Sequence, residues 1–216
     1  MTDIPAKPKI YHITHVDNLV LITRAGLIWS DARRIECGVD CRVIGMSEIK
    51  RRRLEELPVP CHPGTKVGEY VPFFFCPRSI MLYILYKGNH HDIDYRQGQN
   101  CIVHLQADLY DTVAWAQAHG VRWAFSNVNA GARYAEFFSD VTHLDQVNWD
   151  AVGQDDFRDP VIKDGKQAEF LVFESFPWQL VEKIGVIDAT IGDRVRQMIS
   201  GVVHQPIVNI ERSWYF

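Results

Sequence analysis

The sequence has no long hydrophobic run. None of its apolar stretches approaches the roughly eighteen residues that a helix needs to span a bilayer. The opening stretch, "MTDIPAKPKIYHITH", does not show the positively charged and then apolar layout of a secretory signal. These absences predict a soluble, cytoplasmic protein with no membrane partner.

Cysteine pairs and the common nucleotide and protease motifs are also missing. The five cysteines are an odd number without a CxxC pair, which argues against a disulfide framework and gives weak support at best for a zinc site. There is no P-loop, no GxGxxG after a strand, no HExxH and no GxSxG. We therefore expect no metal cofactor.

The charge balance gives no general sign of a nucleic-acid partner. The formal net charge is −4, and the composition, with 47% hydrophobic and 23% charged residues, is that of an ordinary globular protein. Local basic clusters would have to bind a nucleic acid against this unfavourable average.

Neither an internal repeat nor a flexible linker divides the chain, so we expect one domain over residues 1–216. Strand patterns at "KIYHITH", "YVPFFFCP", "QNCIVHLQAD" and "AEFLVFESF" alternate irregularly with helical patterns, and several are joined by stretches too short for crossovers. This arrangement favours a mixed α+β sheet domain over a doubly wound parallel sheet.

Helix boundaries follow from capping residues. "NLVLITRAG" predicts a helix that ends at Gly26. Ser47 is predicted to cap a helix through "SEIKRRRLEEL", and Pro77 to lie in the first turn of a helix through "RSIMLYILYKG". "NAGARYAEFFSD" is also predicted to be helical, whereas "DFRDPVIKDGKQ" is predicted to be a mobile loop.

One acidic residue stands at the start of an apolar strand. In "KQAEFLVFESFP", Val172 and the phenylalanines favour a buried, extended backbone, yet Glu169 begins this run. A carboxylate there is costly unless it is solvated or paired. Stability alone gives no reason for this position.

A second candidate lies at the end of the first strand. His12 and Thr14 share one face of that strand, just before a helix start whose free N–H groups favour phosphate or another anion. A core histidine beside a helix cap is the alternative, and base rates of burial favour it at roughly two to one.

Basic and aromatic runs give two further candidates. The cations of residues 50–53 could clamp a phosphate, although such a run is usually a solvated helix face and at most one or two of them can face one site. Phe74 points away from Phe73 and Phe75, so it could stack on a nicotinamide or a base.

Taken in order, five stretches resemble the DarT-type DNA ADP-ribosyltransferases, the toxin half of a bacterial toxin–antitoxin pair. The stretches are "YHITHVDNLVLITRAGL", "IGMSEIKRRR", "YVPFFFCPRSIMLY", "NAGARYAEFF" and "KQAEFLVF". They cover nearly the whole chain, and the "AEFLV" form is closer to the branch that modifies thymidine than to the branch that modifies guanosine.

The resemblance implies an ADP-ribosyltransferase-like split β-sheet core with surrounding helices, in which NAD is held in the cleft between the halves. It also implies transfer of ADP-ribose from NAD to thymidine in single-stranded DNA, with release of nicotinamide and reversal by a macrodomain antitoxin. The alternatives are a guanosine-directed DNA enzyme, a transferase that acts on RNA or protein, and an inert NAD-binding module.

The same resemblance implies roles for individual residues. The catalytic residues would be Glu169 and an arginine within "IKRRR", for which Arg51 is preferred and Arg53 is the alternative. The expected NAD-binding residues are His12, Thr14, Asn18, Gly26, Leu27, Arg51, Phe74 and Met81. Many relatives carry tyrosine where this chain has Phe74, so only stacking remains at that position.

Mechanism and DNA contacts complete the expectations. Cleavage of the nicotinamide–ribose bond builds positive charge on the ribose, which a nearby carboxylate stabilises, and Glu169 could also take the proton of a thymine ring nitrogen. Base pairing occupies that nitrogen, so the substrate must be single-stranded or extruded. The arginine would hold the pyrophosphate. A DNA groove is expected at Arg133, Tyr134, Lys163 and Lys166.

Overall fold

A computed structural model describes residues 3–216, and these form ten β-strands and eight α-helices. The strands are β1 Lys9–His15, β2 Leu27–Trp29, β3 Tyr70–Phe74, β4 Ile102–Asp108, β5 Trp123–Ser126, β6 Phe137–Phe138, β7 Glu169–Phe173, β8 Ser175–Pro177, β9 Lys183–Val186 and β10 Ile207–Ile210. The helices are α1 Leu19–Ala25, α2 Asp31–Glu36, α3 Ser47–Glu55, α4 Ile80–Lys87, α5 Leu109–Ala118, α6 Trp149–Gly153, α7 Pro160–Gly165 and α8 Ala189–Ile199. Among these residues, no helix has the length and apolar character required to cross a bilayer.

Eight strands form one sheet in the order β10-β9-β4-β1-β3-β7-β5-β6. Every neighbouring pair is antiparallel except β9 and β10, which are parallel and are connected by α8. Strands β2 and β8 pair separately. A mostly antiparallel sheet flanked by helices confirms the predicted α+β class.

The sheet is split between β1 and β3, a boundary that we call the seam. Strand β1 pairs with β4 along its whole length, from Lys9 to His15, and β3 pairs with β7 along its whole length. Between β1 and β3, in contrast, one pair of residues, Tyr11 and Phe74, is in register within the described chain.

A proline explains why the ladder fails at the seam. The Pro72 carbonyl faces β1, because the His12 ring nitrogen Nδ1 lies 2.9 Å from it. The N and C=O of one strand residue point to the same side, so the N–H that Pro72 lacks would also have faced β1. The predicted split of the sheet is thus visible in the chain's own hydrogen bonds.

The hydrophobic core packs both halves of the sheet together despite the seam. Ile10 and Leu105 come from one half, and Phe73 and Phe170 from the other, and all four are fully buried in one cluster. Phe75 is also buried in this cluster, whereas Phe74 faces the cleft, as the alternation of "FFF" predicted.

Several predicted boundaries are confirmed and others are corrected. Gly26 ends α1 with φ of 69°. Helix α3 does begin at Ser47, but its cap residue is Met46, and α4 begins at Ile80 with the Ser79 hydroxyl as its cap rather than at Pro77.

Two stretches have a different structure from the one predicted. Residues 129–138 are not helical, because the Asn129 side chain accepts the Gly131 N–H at 2.8 Å and so diverts a backbone donor from a helix. The predicted mobile loop contains α7, for which Asp159 is the cap and Pro160 the first residue. Helix α2, capped by the Ser30 hydroxyl, was not predicted.

Candidate active site

Two cavities meet beside the seam. The larger has a volume of about 400 Å³ and lies between β1, α1, β2, α2 and the segment that follows α2. The smaller has a volume of about 240 Å³ and lies between β1, β3, α3 and α4. Their shared wall includes His12, Trp29, Asp31 and Lys50, so the two cavities form one continuous cleft.

Glu169 lies in the wall of the smaller cavity. It is the first residue of β7, pairs with Phe74 of β3, and is 2% exposed. Its Oε1 accepts hydrogen bonds from the Arg53 guanidinium and the Ala130 N–H, both at 3.1 Å, and its Oε2 accepts a second bond from Arg53 at 2.9 Å. The sheet and three donors therefore hold this carboxylate in one orientation.

Arg53, rather than Arg51, is the arginine that the structure brings to Glu169. Its side chain is 13% exposed and forms a bidentate pair with the carboxylate. Burial acts to lower the pKa of Arg53, but the charge and hydrogen bonds of Glu169 outweigh it and raise the pKa above its usual value. The guanidinium is therefore charged at any physiological pH.

Arg51 points to solvent on the opposite side of α3. Its guanidinium bonds to Glu55 and Glu56 at 2.9 and 2.8 Å, and its side chain is 45% exposed. It lines neither cavity. Residues three apart share one side of a helix, and in α3 the side that carries Lys50 and Arg53 faces the cleft. The preference for Arg51 is therefore corrected in favour of Arg53.

His12 lines both cavities. Burial lowers its pKa, and the Pro72 carbonyl only partly opposes this, so the imidazole is neutral near pH 7. Since the Pro72 carbonyl can only accept, the neutral ring donates from Nδ1, and Nε2 is then an acceptor.

The other predicted NAD-binding residues of the first third of the chain divide into two groups. Thr14, Asn18 and Leu27 line the larger cavity. Gly26 lines neither cavity: it ends α1, and its carbonyl accepts the Trp178 N–H at 2.9 Å. Its neighbours Ala25 and Leu27 do line the larger cavity, so Gly26 lies within that wall without facing the cavity itself.

Phe74 and Met81 line the smaller cavity and not the larger one. Together with Ile80 and Ile84 of α4 they form the apolar part of its lining, and Phe74 is the cross-strand partner of Glu169. Phe74 and Met81 lie in the same cavity as Glu169, at the end of the cleft away from Thr14 and Asn18.

The residues predicted to contact DNA lie outside both cavities. Arg133, Tyr134 and Lys163 are exposed, and the Tyr134 hydroxyl donates to Asp164 at 2.7 Å. Lys166 is 2% exposed, and its ammonium donates to the Val152 carbonyl at 3.1 Å. Because packing of α7 against α6 encloses this side chain, Lys166 is not available to a DNA backbone and that prediction is corrected.

Several polar residues of the cleft were not assigned to the site from the sequence, although Lys50 belongs to the basic run that was offered as a phosphate clamp. Asp31 and Lys50 form an ion pair at 2.6 Å in the shared wall. Burial acts to raise the pKa of Asp31, but Lys50, with smaller contributions from Arg34 and Arg53, outweighs it and lowers the pKa. Ser30 directly before Asp31 is the capping signal that could have located this helix start.

Asn129 and Gln167 were also not assigned to the site from the sequence, and they line the smaller cavity beside Glu169. The Asn129 amide donates to the Gln167 side-chain oxygen at 3.3 Å. Gln167 lies two residues before Glu169, and the period of two in an extended backbone could have placed both on one face.

Comparison with known proteins identifies relatives over the whole length of the chain. The family model described as "ssDNA thymidine ADP-ribosyltransferase, DarT" matches residues 11–216. A DNA ADP-ribosyl transferase of Thermus sp. (strain 2.9) is 36% identical over 218 aligned residues, which cover 98% of each chain. One from Escherichia coli O127:H6 is 27% identical and covers 98% of this chain and 95% of its own.

Solved structures show the same architecture. Thermus sp. 2.9 DarT in complex with ADP-ribosylated single-stranded DNA matches with a TM-score of 0.90 and 33% identity over 100% of this chain and 99% of the other. The same relative in complex with NAD+ matches with a TM-score of 0.86 and 32% identity over 99% and 100%. These structures share the split-sheet fold seen here.

Proposed function

The chain belongs to the DarT family of single-stranded-DNA thymidine ADP-ribosyltransferases, and from this we propose how its cleft carries out the reaction. The enzyme transfers ADP-ribose from NAD to thymidine bases in single-stranded DNA and releases nicotinamide. The observation that carries the proposal is the place of Glu169, which is paired with Arg53 in a cavity that continues into a second, larger one.

The larger cavity is proposed to bind NAD. Its rim carries the guanidinium groups of Arg24 and Arg42, which are exposed, and Arg24 makes no ion pair among the described residues. Guanidinium groups suit the oxygens of a pyrophosphate. Thr14 and the neutral His12 offer a hydroxyl and an imidazole acceptor for ribose or amide groups nearer the shared wall.

The chemistry is proposed to take place where the two cavities meet. As the nicotinamide–ribose bond breaks, the ribose carbon becomes electron-poor and nicotinamide leaves with the bonding electrons. The Glu169 carboxylate stabilises the positive charge. It then accepts the proton of the thymine ring nitrogen as that nitrogen bonds to the ribose carbon.

Arg53 is proposed to position Glu169 rather than to hold the pyrophosphate. Its two hydrogen bonds to the carboxylate fix the direction of both oxygens. A group that is already oriented needs no reorganisation during the reaction, and this is a large part of electrostatic catalysis.

The smaller cavity is proposed to bind the acceptor base. Its apolar wall of Phe74, Met81 and Ile84 suits the face of a pyrimidine, and the amides of Asn129 and Gln167 suit its polar edge. A base can enter only when it is unpaired. Arg133 and Lys163 are exposed and are proposed to contact the strand outside the cavity.

The setting of the activity is also proposed. Residues 1–216 act as one ADP-ribosyltransferase domain, in the cytoplasm, where the chromosome offers single strands. The protein is the toxin of a toxin–antitoxin pair, and a macrodomain that removes ADP-ribose from DNA is its antitoxin. Purified macrodomain that fails to remove the modification from thymidine would contradict this pairing.

One experiment tests the proposed function. Wild type, Glu169→Gln and the surface control Glu48→Gln are incubated with labelled NAD and each of four homopolymeric DNA strands. We expect label on oligo(dT), a loss of about 10²–10⁴-fold in rate for Glu169→Gln because the general base and anionic charge are removed, and no change for Glu48→Gln. Circular dichroism checks that the variants are folded.

Other outcomes are informative in specific ways. Label on oligo(dG) would redirect the enzyme to guanosine, and label on RNA or protein alone would change the acceptor class. NAD binding without nicotinamide release would identify an inert binding module. Unchanged transfer by Glu169→Gln would contradict the proposed centre.

A further inference from the structure

A ten-residue segment between α2 and α3, residues 37–46, forms part of the larger cavity, and we call it the strap. Among its residues, Val39, Cys41, Arg42, Val43 and Ile44 line this cavity. The strap has no helix or strand of its own, and none of its residues is buried. Ile44 and Met46 at its end pack against a hydrophobic cluster, but residues 37–43 belong to no core cluster, so core packing does not hold that part of the wall in place.

A third cavity lies on the other side of the strap. It has a volume of about 640 Å³ and is lined by Asp17, Asp94 and Tyr95 as well as by Cys41, Arg42 and Val43 of the strap. Residues 41–43 thus separate two cavities. Open space on both sides allows this part of the strap to move in either direction.

The Asn18 side chain ties the backbone in the middle of the strap to the rest of the protein, in addition to the ion pair between the Arg42 guanidinium and Asp17 at 3.9 Å. The Asn18 Oδ1 accepts the Arg42 N–H at 2.8 Å, and its Nδ2 donates to the Arg42 carbonyl at 3.0 Å. The amide thus bonds both polar groups of one peptide residue, as a neighbouring β-strand would. Asn18 itself is 8% exposed and also donates to the Thr14 hydroxyl at 3.0 Å, so it is anchored on β1.

The ends of the strap are held separately. At one end the Arg34 guanidinium donates to the Val39 carbonyl, and the Val39 N–H donates to the Arg34 carbonyl, both at 3.0 Å. At the other end the Ser47 N–H donates to the Asp92 carbonyl at 3.2 Å. In the described chain, no other hydrogen bond joins the strap backbone between Val39 and Ser47 to the segment that connects β1 and α1.

We propose that Asn18 is a positioning residue that latches the strap across the NAD cavity. The inference rests on the proposed function, because it assigns the larger cavity to NAD. With the latch closed, Arg42 and the apolar side chains of Val43 and Ile44 are held at the cavity. With it open, the strap moves into the third cavity and the NAD site is uncovered for entry and release.

The chemistry of the latch requires an amide. A carboxylate in the same place keeps an acceptor for the Arg42 N–H but sets a second acceptor against the Arg42 carbonyl. An isosteric leucine removes both bonds and leaves the Arg42 N–H and C=O unpaired by protein. Asn18→Asp and Asn18→Leu therefore open the latch with and without an added charge.

The test compares both variants with wild type and with Asn209→Asp, a control on β10 where the residue is exposed. Hydrogen exchange is measured first, without NAD. We expect faster exchange of peptides covering residues 37–46 in both Asn18 variants, with β1 and β4 as protected as in wild type. We expect no change in Asn209→Asp.

Steady-state kinetics provide the second readout. We expect KM for NAD to rise by about tenfold in both variants, in line with the loss of one or two hydrogen bonds to a binding element. We expect kcat at saturating NAD to stay within about twofold, because the strap contributes to binding rather than to the chemical step.

Two results would overturn the proposal. One is unchanged exchange of residues 37–46 in both Asn18 variants, and the other is a fall in kcat at unchanged KM. Should Asn18→Leu also loosen β1, Asn18→Asp, which keeps one of the two bonds, decides between the outcomes. The exchange result is independent of activity, so a wild type without transferase activity would contradict the proposed function and not the latch.

Discussion

A buried carboxylate and a buried guanidinium are each costly to remove from water, and Glu169 and Arg53 are tolerated in the cleft because each is the partner of the other. Two neighbours stabilise the charges of the pair further. The Ala130 N–H donates to the Glu169 Oε1, and the negative charge of Asp31 favours the charged form of Arg53. Removing one partner therefore leaves an uncompensated charge near the reacting centre.

The cost of removing one partner of a buried ion pair distinguishes Arg53 from its neighbour Arg51. We expect Arg53→Ala to lower the free energy of unfolding by about 3–5 kcal/mol, because it leaves the Glu169 carboxylate buried without its counter-ion. We expect transferase activity to be lost as well. Chemical denaturation and the oligo(dT) assay measure the two effects.

Arg51→Ala is the matched control, since Arg51 is on the same helix and its ion pairs are at the surface. We expect its stability and activity to match wild type, because exposed ion pairs contribute little. Full activity in Arg53→Ala together with loss in Arg51→Ala would restore the original assignment to Arg51.

At the residue scale, the sequence predicted the types of residue that line the cleft. It was less successful at choosing the correct residue among neighbours of the same type. Glu169 was identifiable because an acid at the start of a buried strand is exceptional. The choice between Arg51 and Arg53 depended on the rotation of α3, which is set by tertiary packing and not by any pattern within "KRRR". Lys166 was misassigned because its burial depends on α7, a helix that the local sequence did not predict.

Helix α1 shows how an element near the site can depend on one backbone conformation. Gly26 ends this helix in the left-handed region, with φ of 69°, and a Cβ built there meets nothing within 4 Å. Space is therefore not the constraint, and the backbone angle is.

We expect Gly26→Ala to lower the free energy of unfolding by about 1–2 kcal/mol, which is the cost of a left-handed conformation for an L-residue. We expect little change in KM for NAD, since Gly26 lines neither cavity. Denaturant titration and steady-state kinetics measure both quantities.

Gly153 is the control for this substitution. It also has open space within 4 Å but no positive φ. We expect Gly153→Ala to be neutral or slightly stabilising. An equal loss of stability in the two variants would show that the angle at Gly26 is not what matters.

At the element scale, long periodic segments were predictable and short ones were not. The strands β1, β3, β4 and β7 have clear apolar patterns, whereas α2 and α7 are helices of six residues. Helices this short are unstable on their own and form because neighbouring elements pack on them. The strap and its latch depend on the same unpredicted region, so no local pattern showed them.

The whole molecule has a built-in sensitivity to acid through a buried histidine. His104 on β4 is fully buried, its Nε2 lies 3.0 Å from the Pro77 carbonyl, and its ring packs on Trp214 and Tyr215. Burial lowers the pKa of His104 from its ordinary value of 6.5 to about 4.

The sign of the effect follows from proton uptake. Between pH 6.5 and about 4 the unfolded chain holds a proton on this histidine and the folded protein does not, so stability falls as the pH falls. We expect His104 to contribute a loss of about 3 kcal/mol across this window. His12 and His15, whose pKa values are also lowered by burial, act in the same direction.

The contribution of His104 to the pH dependence of stability is obtained by comparing wild type with a variant that lacks this histidine. Unfolding free energies are determined from pH 7 to pH 4 for wild type, for His104→Gln, and for His91→Gln, an exposed control. We expect a shallower pH dependence in His104→Gln only, whatever its stability at pH 7. A slope equal to that of wild type would contradict the assignment.

The seam at Pro72 has a mechanical consequence for the whole molecule. Backbone ladders are directional and resist changes of angle between strands, whereas packed hydrocarbon side chains are not directional. Within the described chain one register pair, Tyr11 and Phe74, joins β1 and β3, so the two half-sheets are held together mainly by side-chain packing, and we expect the angle between them to change more easily than the angles within either half. A small change of this angle would widen or narrow the cleft beside the seam without breaking a row of hydrogen bonds.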